Sequence, residues 1–452
     1  MLKSLKLLNP RKGAGPDKII PKVLKTCATG LSYVITKLYS RSIETQTTPT
    51  IWKTATIKPL PKVNNPDQLK QYRPIIALTS CLVKILERLM KTYISNHTPL
   101  DKFQFAYRSH RSTQDAVLCL TTTVTNFIDK QACNYSRCLF LDFSSAFNTI
   151  NVSHLIPKLQ HLDCNVTGWI ASFLSGRVQR TLVDGTMSQP IITNTGTPQG
   201  SVLSPLLFSV YTDGIRSQTS NVTILKYADD TCVIGCISDE SDLSNYFSEV
   251  NRISNQCNSL HLLLNPSKTQ EMLFSTKRIK PDTPAMILND VSISFSDNVK
   301  YLGVQIDDKL RFEEHINSVA TKASQRMYIV RNFVYLSSPT LASMLFKSFI
   351  ISLLTYCLPI LYTSLYAKDK KQLRHFFKEA LKLGIKDLGD IDNLIDNRTK
   401  TLLLQYIHDD NHFLNNFLEK CPSGRYRTIK YRSTWGRDSF LRQAALKLNK
   451  FI

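Results

Sequence analysis

Two adjacent aspartates are the residues most suited to carry out chemistry. Asp229 and Asp230 lie in the stretch LKYADDTCVIG (225–235), between two apolar runs that predict a β-hairpin with the acids at its tip. A third aspartate, Asp142, follows the apolar start of CLFLDF (138–143), which predicts a buried strand. Aspartate is common in turns, so the pair alone fits an inert, solvated turn equally well. The strand-end position of the third acid makes a functional site the better interpretation.

Three converging carboxylates need a counter-charge, because like charges close together raise each other's pKa. Hard carboxylate oxygens suit Mg²⁺, which keeps some waters and takes further ligands from substrate phosphates. Two such ions about 3.5–4 Å apart activate a hydroxyl and stabilise the leaving oxygen of an in-line displacement. We therefore predict that Asp142, Asp229 and Asp230 bind two Mg²⁺ ions, with Mn²⁺ as the alternative ion.

The order of the predicted elements explains how these acids could meet. The strand ending at Asp142 is followed by helical segments, a hairpin at 222–237, a helix at 239–262 and a strand at 269–275. Strand, helix, hairpin, helix and strand in this order are typical of a split βαβ, ferredoxin-like sheet with helices on one face. In that topology the end of the first strand lies beside the tip of the central hairpin. The predicted fold class is α+β.

The flanking sequence predicts mainly helices. Helical periodicity covers 18–42, 75–96, 113–130 and most of 313–384, and a strand is predicted at 54–60. The uncharged stretch 348–366 reaches membrane-spanning length. Its hydroxyl side chains, three tyrosines and Pro359 favour a buried helix or helix pair, so no membrane partner is expected.

The charge of the chain favours a polyanionic partner. The 452 residues carry 57 Lys and Arg against 35 Asp and Glu, a net charge of +22, which points to nucleic acid or an anionic membrane surface. The C-terminal tail alternates basic and aromatic residues, a pattern suited to single strands because rings stack on bases and arginines hold phosphates. An ordinary solvated terminal segment is the alternative. The predicted nucleic-acid-binding residues are Arg425, Tyr426, Arg427, Tyr431, Arg432 and Trp435.

The cysteines indicate a reducing compartment. Eleven cysteines are scattered without the paired spacing of a zinc site, which predicts free thiols. Cys232 and Cys236 lie in an apolar run and are predicted to be core residues. The expected location is the nucleus, the cytoplasm or both.

An ordered set of motifs resembles the palm of reverse transcriptases, most of all those of non-LTR (LINE-type, jockey-like) retrotransposons. The main motifs are LFLDFSSAFNTI (139–150), GTPQGSVLSPLLFSVYTDGI (196–215) and KYADD (226–230). The supporting stretches are RKGAGPD (11–17), IKPLPK with YRPI (57–75), QFAYRSHRST (104–113), LNPSKT (264–269) and YLGVQID (301–307). The resemblance implies an RNA-directed DNA polymerase, a nucleotidyltransferase that takes an RNA template, a DNA primer and dNTPs.

The resemblance also implies roles for single residues. Asp142 and Asp229 would be the principal metal ligands, with Asp230 beside them. Phe147 matches the aromatic ring that excludes a 2′-hydroxyl, although a core phenylalanine is the alternative. Lys268 matches the lysine near the leaving pyrophosphate, with a solvated surface lysine as the alternative. The predicted nucleotide-binding residues are Phe143, Phe147, Gln199, Gly200, Arg73 and Lys62. Asn148 departs from the pattern, since many relatives have an aspartate there.

The family's right-hand architecture implies a division of the chain. We expect an N-terminal extension and fingers at 1–135, a ferredoxin-like palm at 136–310, a thumb-like helical region at 311–385 and a basic tail at 386–452, with the reverse transcriptase domain at about 55–310. The chain resembles a fragment lacking the N-terminal endonuclease, so an endonuclease on a separate or full-length chain would supply nicking.

Two competing functions stay open at this point. One is a catalytically inactive, nucleic-acid-binding relic of such an element. The other is a different two-metal palm enzyme, such as a nucleotide cyclase, which lacks the long basic flanks and the PQG motif.

Overall fold

A computed structural model describes residues 1–451 apart from 62, 75–78, 130–132, 145, 199, 337–338, 386–387 and 429. The chain divides into two units. Unit 1 comprises Met1–Asp101, Phe143–Ile215 and Asn255–Leu264, and unit 2 comprises Lys102–Asp142, Arg216–Ser254 and Asn265–Ile452. These units divide the chain differently from the four expected regions, whose functional assignment stays a prediction.

The strands and helices agree with the predicted pattern in type and order. The strands are β1 Thr54–Ile57, β2 Pro59–Pro61, β3 Tyr72–Pro74, β4 Tyr135–Leu141, β5 Phe143–Ser144, β6 Arg177–Val183, β7 Thr186–Met187, β8 Ile191–Thr193, β9 Val222–Tyr227, β10 Asp230–Ile237, β11 Leu263–Leu264, β12 Gln270–Phe274, β13 Met286–Leu288, β14 Val291–Ile293, β15 Asn298–Tyr301 and β16 Val304–Asp307. The helices are α1 Leu2–Lys6, α2 Pro21–Thr26, α3 Ala28–Glu44, α4 Thr50–Lys53, α5 Cys81–His97, α6 Thr113–Asp129, α7 Val152–Leu155, α8 Cys164–Leu174, α9 Ser204–Tyr211, α10 Glu240–Ser259, α11 Glu313–Leu336, α12 Pro339–Phe346, α13 Ser352–Leu354, α14 Leu358–Leu361, α15 Ala367–Lys382, α16 Ile391–Ile407, α17 Thr434–Asp438 and α18 Phe440–Phe451. Residues 75–78 of the predicted helix 75–96 lie outside the described residues.

Unit 2 contains a four-stranded antiparallel sheet in the order β12-β4-β10-β9. Numbered by their position in the chain, these four strands have the order 4-1-3-2, which is the ferredoxin-like arrangement that the sequence predicts. The register pairs Leu141 with Thr231 and Tyr227 with Asp230. The sheet therefore fixes the end of β4 beside the tip of the β9–β10 hairpin.

Helices cover both faces of this sheet. Alternate residues of the strands pack on α6 in the core of unit 2, among them Cys138 on β4 and Ile234 on β10. On the other face, Gly235 lies directly against α10, because a Cβ there would be 2.4 Å from the ring of Tyr246. The helix α6 precedes the sheet in sequence and adds a second covered face to the one that the topology predicts.

A buried ion pair ties β4 to β12 on the α10 face. Arg137 and Glu271 are both fully buried, and Nη2 of the guanidinium lies 2.6 Å from Oε2 of the carboxylate. The hydroxyl of Tyr246 donates to Oε1 of the same glutamate at 3.2 Å. Each charge is therefore paired and hydrogen-bonded, which is the condition under which a buried ion is tolerated.

Unit 1 combines a small sheet with helices. In this sheet β1 pairs with β6 in parallel, and β6 pairs antiparallel with β7 and β8. The short strands β5 and β11 pair with each other. Ser80 precedes helix α5 and caps it, because its hydroxyl accepts the amide hydrogens of Leu82 and Val83.

The chain after β16 is mostly helical, as the sequence predicts. The uncharged stretch 348–366 overlaps a bent helix pair, Thr340–Leu354 and Leu358–Ser364, in which a π-helical turn at Lys347–Ile351 joins α12 to α13. The bend is 44°, and the pair agrees with the predicted helix or helix pair. No single helix among the described residues is long and apolar enough to cross a membrane, although this bent pair satisfies the criterion by length and composition. All eleven cysteines are free thiols, and Cys232 and Cys236 are buried as predicted.

Candidate active site

The tight turn of the β9–β10 hairpin carries two of the three predicted acids. Because Tyr227 pairs with Asp230, only Ala228 and Asp229 form the connection. Ala228 has a φ of +59°, a left-handed conformation that is strained for an alanine and that two-residue hairpin turns require. The turn therefore holds both carboxylates on a rigid support.

The third acid follows directly from the register of the sheet. Leu141 is the last residue of β4 and faces Thr231, so Asp142 comes one position later, beside Asp230. The backbone amide of Asn265 donates to the carbonyl of Asp142 at 2.9 Å and fixes the chain beyond the strand. The three carboxylates thus emerge at the same end of the sheet, as predicted.

The electrostatics of the acids reflect this proximity. Burial by neighbouring protein, followed by the charges of Asp229 and Asp142, raises the pKa of Asp230 to about 6. The side chain of Asp230 is partly exposed to solvent, but the repulsion from the other two carboxylates still acts on it. The pKa of Asp229 is also raised, first by burial and then by the charge of Asp142. The hydroxyl of Tyr107 has a raised pKa, caused by burial and then by Asp229.

The chemistry of this donor set fits a divalent cation. Within the described part of the chain, Oδ2 of Asp142 is buried and accepts no hydrogen bond, although the exposed ammonium of Lys268 lies 3.8 Å away. A hard acceptor is thus available beside two acids whose pKa values are raised. Among the described residues, no three His, Cys, Asp or Glu side chains are close enough to hold a metal ion by themselves. An ion bound by these aspartates would complete its shell with water and phosphate oxygens.

Lys268 lies next to the acids. Its ammonium is 3.8 Å from Oδ2 of Asp142, and its side chain is 69% exposed. The turn that presents it is closed by Asn265, whose carbonyl accepts the amides of Lys268 and Thr269. The sequence prediction that this lysine belongs to the site agrees with its position, and its role in pyrophosphate release stays a prediction.

The loop before α9 and the segment around Phe147 are joined within unit 1. The amide of Thr197 donates to the carbonyl of Phe147 at 2.9 Å, and the half-buried ring of Phe147 packs on Phe208 with centroids 4.7 Å apart. Gly200 has a φ of +82°, a conformation that glycine adopts without strain. Gln199 lies outside the described residues.

Glu87 is a contributor to this loop that the sequence prediction missed. Its fully buried Oε2 accepts hydrogen bonds from the hydroxyl of Ser201 at 2.5 Å and from the amides of Val202 at 2.5 Å and Leu203 at 3.0 Å. These amides precede the first turn of α9, where backbone donors have no acceptor within the helix, and Glu87 supplies one. The only sequence signal was an acid on the apolar face of a predicted helix.

The other predicted nucleotide-binding residues are not supported in the same way. Phe143 is 8% exposed and pairs with Leu264, so its ring is a core residue and any nucleotide contact would use its backbone. The backbone of Arg73 in β3 pairs with that of Leu60 in β2. The side chain of Arg73 lies outside the described part of the structure. Lys62 also lies outside the described residues.

The C-terminal prediction needs a correction. Tyr426 and Tyr431 are only 5% and 9% exposed and belong to the core of unit 2, so their rings have no free face for a base. Trp435 packs against the same core. These aromatic rings pack in the protein core, and their spacing in the sequence does not distinguish core packing from stacking on nucleic-acid bases. The arginines of the predicted set, Arg425, Arg427 and Arg432, are exposed.

A basic cavity in unit 2 was also missed by the sequence prediction. It has a volume of about 340 Å³ and is lined by Lys300 of β15 and by Lys322 and Arg326 of α11. Among the described residues that line it, none is acidic. His315 is in the same lining, and burial followed by the charge of Lys322 lowers its pKa to about 4, so it is neutral at pH 7. The two α11 cations are four residues apart, on one face of the helix, but Lys300 comes from a separate strand.

Comparison with known protein families identifies the family of the chain. The model of the reverse transcriptase (RNA-dependent DNA polymerase) family matches residues 60–306, and the chain belongs to this family. The matched range contains Asp142, Asp229, Asp230 and Lys268.

Two proteins that are similar to this chain come from mobile elements. The chain is similar to the probable RNA-directed DNA polymerase from transposon BS of Drosophila melanogaster, with 29% identity over 349 residues, 73% of this chain and 38% of the relative. It is also similar to the RNA-directed DNA polymerase from mobile element jockey of Drosophila funebris, with 28% identity over 69% of this chain and 35% of the relative. The predicted resemblance to jockey-like retrotransposon reverse transcriptases is confirmed, and the chain spans little more than a third of the length of these relatives.

One solved structure is similar at a lower level. The apo telomerase from Candida tropicalis, truncated from its C-terminal domain, has 13% sequence identity and a TM-score of 0.39, covering 58% of this chain and 55% of that chain.

Proposed function

We propose that this chain is an RNA-directed DNA polymerase of a non-LTR retrotransposon, adding deoxynucleotides from dNTPs to the 3′-hydroxyl of a DNA primer on an RNA template. The observation that carries the proposal is the convergence of Asp142, Asp229 and Asp230 at one end of the unit 2 sheet, inside the range that matches the family. The elevated pKa values of Asp229 and Asp230 and the unsatisfied oxygen of Asp142 support a shared cation.

The three aspartates would hold two Mg²⁺ ions. When bound, these ions supply Lewis-acid activation of the hydroxyl and neutralise the phosphate charge. The rigid turn at Ala228 keeps two of the carboxylates in place, so little reorganisation is needed when the substrate arrives.

Lys268 would act on the leaving group. Its exposed ammonium is within 3.8 Å of Asp142 and is free to turn towards a pyrophosphate bound at the same carboxylates. There it can neutralise charge or donate a proton to the leaving oxygen.

The family resemblance assigns nucleotide binding to the loop 196–203 and Phe147, which belong to unit 1. Phe147 would exclude a 2′-hydroxyl, and by the same resemblance Gln199 and Gly200 would contact the nucleotide and the template. The hydrogen bonds from Thr197 to Phe147 and from the loop to Glu87 support a common, preorganised unit. In the right-hand arrangement these parts belong to the fingers and the palm.

Template and primer would be held by basic groups in several regions. Lys300, Lys322 and Arg326 line a cavity whose described lining contains no acidic residue, which suits backbone phosphates. The exposed arginines Arg425 and Arg427 would add charge from the tail.

Primer extension by the purified chain tests the proposal. Wild-type protein should extend a primer on RNA and on DNA templates in the presence of Mg²⁺ and not in its absence. Asp229→Asn should abolish extension and leave RNA binding within about twofold of wild type. Asp290→Asn, the same change in the exposed turn between β13 and β14, is the matched control and should extend normally. Binding without extension by the wild-type protein would favour the inactive relic and reject the proposal.

A further inference from the structure

A cavity in unit 1 contains a buried charge that lacks a counter-ion. The cavity has a volume of about 240 Å³ and lies between the paired strands β1 and β6 and the segment 193–198. Arg177 and Gln179 of β6 line one side, and Asn148 lines another. All of these residues belong to unit 1.

The contacts of Arg177 are all with neutral groups. Its Nε donates to the carbonyl of Leu174 at 3.2 Å, and its Nη2 donates to the carbonyls of Thr195 at 2.8 Å and Gly196 at 3.1 Å. The residue is 3% exposed. Within the described part of the chain, no carboxylate forms an ion pair with this guanidinium.

This environment is unfavourable for a cation. Burial lowers the pKa of Arg177 to about 10, and no neighbouring charge offsets the effect. An unpaired buried charge costs several kcal/mol unless an anion or strong hydrogen bonds compensate it. By contrast, the buried guanidinium of Arg137 in unit 2 has a carboxylate partner at 2.6 Å.

We propose that this cavity binds a phosphate group, with Arg177 as its charge partner. The three carbonyls occupy Nε and Nη2 of Arg177, which leaves the two N–H groups of Nη1 as its donors for a phosphate oxygen. The amide side chains of Gln179 and Asn148 also line the cavity. The volume is below the range of about 300–1,000 Å³ typical of sites for whole ligands, so it suits a phosphate with part of a nucleotide. The inference rests on the proposed function, because a polymerase handles both nucleotides and strands.

A phosphate in this cavity would also affect the loop before α9, which belongs to the same unit. Thr195, Gly196 and Thr197 line it, and the amides of Gly196 and Thr197 donate to the carbonyls of Ile150 and Phe147. A phosphate on Arg177 would therefore stabilise the segment that carries Phe147, so occupancy of the cavity and order in the nucleotide-binding loop are coupled.

Binding measured without metal and without catalysis tests the site. Isothermal titration with inorganic pyrophosphate, a deoxynucleoside monophosphate and a five-nucleotide DNA would give the affinity of each phosphate source at constant ionic strength. We expect at least one of them to bind the wild type and to lose tenfold or more in affinity in Arg177→Gln. The matched control is Arg180→Gln on the exposed side of the same strand, which should bind within twofold of wild type.

Asn148→Asp provides a second variant that keeps the arginine. Its carboxylate would act as a tethered anion in the same cavity, so we expect a higher melting temperature without ligand and a tenfold or greater loss of phosphate affinity. The phosphate affinity of Asn148→Asp tests the site even if Arg177→Gln does not fold. Unchanged phosphate affinity in Asn148→Asp, or no phosphate binding by the wild type, would overturn the proposal. Primer extension by the wild type is measured separately, so failure of this site and failure of the polymerase assignment remain distinguishable.

Discussion

Replacement of Glu87 by alanine tests how the loop before α9 is held. The substitution removes an oxygen that accepts from three donors, the hydroxyl of Ser201 and the amides of Val202 and Leu203. The amide of Leu203 keeps a second acceptor, the hydroxyl of Ser201 at 3.2 Å. A hydrogen bond to a charged group contributes about 1.5–3 kcal/mol. Because the three donors share one oxygen, their losses do not simply add. We expect a local destabilisation of about 3–5 kcal/mol, because each buried donor left without an acceptor costs about 1–3 kcal/mol.

Hydrogen exchange measures this effect where it arises. Since about 1.4 kcal/mol corresponds to a factor of ten, the amides of Val202 and Leu203 should lose at least about 100-fold in protection. Glu44→Ala, an exposed glutamate on α3 in the same unit, is the matched control and should leave these amides unchanged. Equal protection in Glu87→Ala and wild type would refute the idea that Glu87 holds the loop.

The same site predicts a pH dependence. Burial raises the pKa of Glu87, and the hydrogen bonds from Ser201, Leu203 and Val202 only partly oppose it. A carboxyl whose folded pKa lies above its unfolded value stabilises the protein most at low pH, and the contribution is lost as the pH rises towards the folded pKa. The melting temperature of wild type relative to Glu87→Gln should therefore fall as the pH rises above about 4.3, the ordinary pKa of glutamic acid. A difference that is constant or grows with pH would contradict this assignment.

Three other changes probe different parts of the chain. Glu271→Gln should destabilise unit 2 by about 3–5 kcal/mol, seen as a lower melting temperature, because it leaves the buried guanidinium of Arg137 without a counter-ion. Lys268→Ala should slow single-turnover nucleotide incorporation about 100-fold while primer binding stays unchanged, and an unaltered rate would remove the lysine from the mechanism. Arg374 lowers the pKa of Asp392 to about 2, so wild type should lose stability relative to Asp392→Asn as the pH falls from about 4 to about 2, which acid titration followed by circular dichroism checks.

The sheet and its acids were predictable because local pattern and topology agree. The apolar runs around Asp142 and Asp229 have the length and the periodicity of strands. In the ferredoxin-like order, one pairing register buries the apolar side chains of these runs. The position of Asp142 beside the hairpin then follows from strand pairing. Few other features of the chain combine a local signal with so strong a topological constraint.

What could not be predicted depends on packing between segments distant in sequence. Glu87 looks like a misplaced acid on an apolar helix face until the loop at 201–203 is seen to surround it. The rings of Tyr426 and Tyr431 have the spacing of a stacking surface, but the core of unit 2 takes them. Arg177 gives no sequence signal, since its lack of a counter-ion is a property of the folded cavity.

The central claim is that three aspartates act together on one reacting phosphate. Single-turnover nucleotide incorporation by Asp142→Asn, by Asp229→Asn and by the double variant tests it most directly. Residues that serve one bound group lose their effect jointly, so each single change should slow incorporation by more than about 100-fold and the double variant should be little slower than either. Near-normal incorporation by either single variant, or losses that multiply in the double variant, would contradict a shared site.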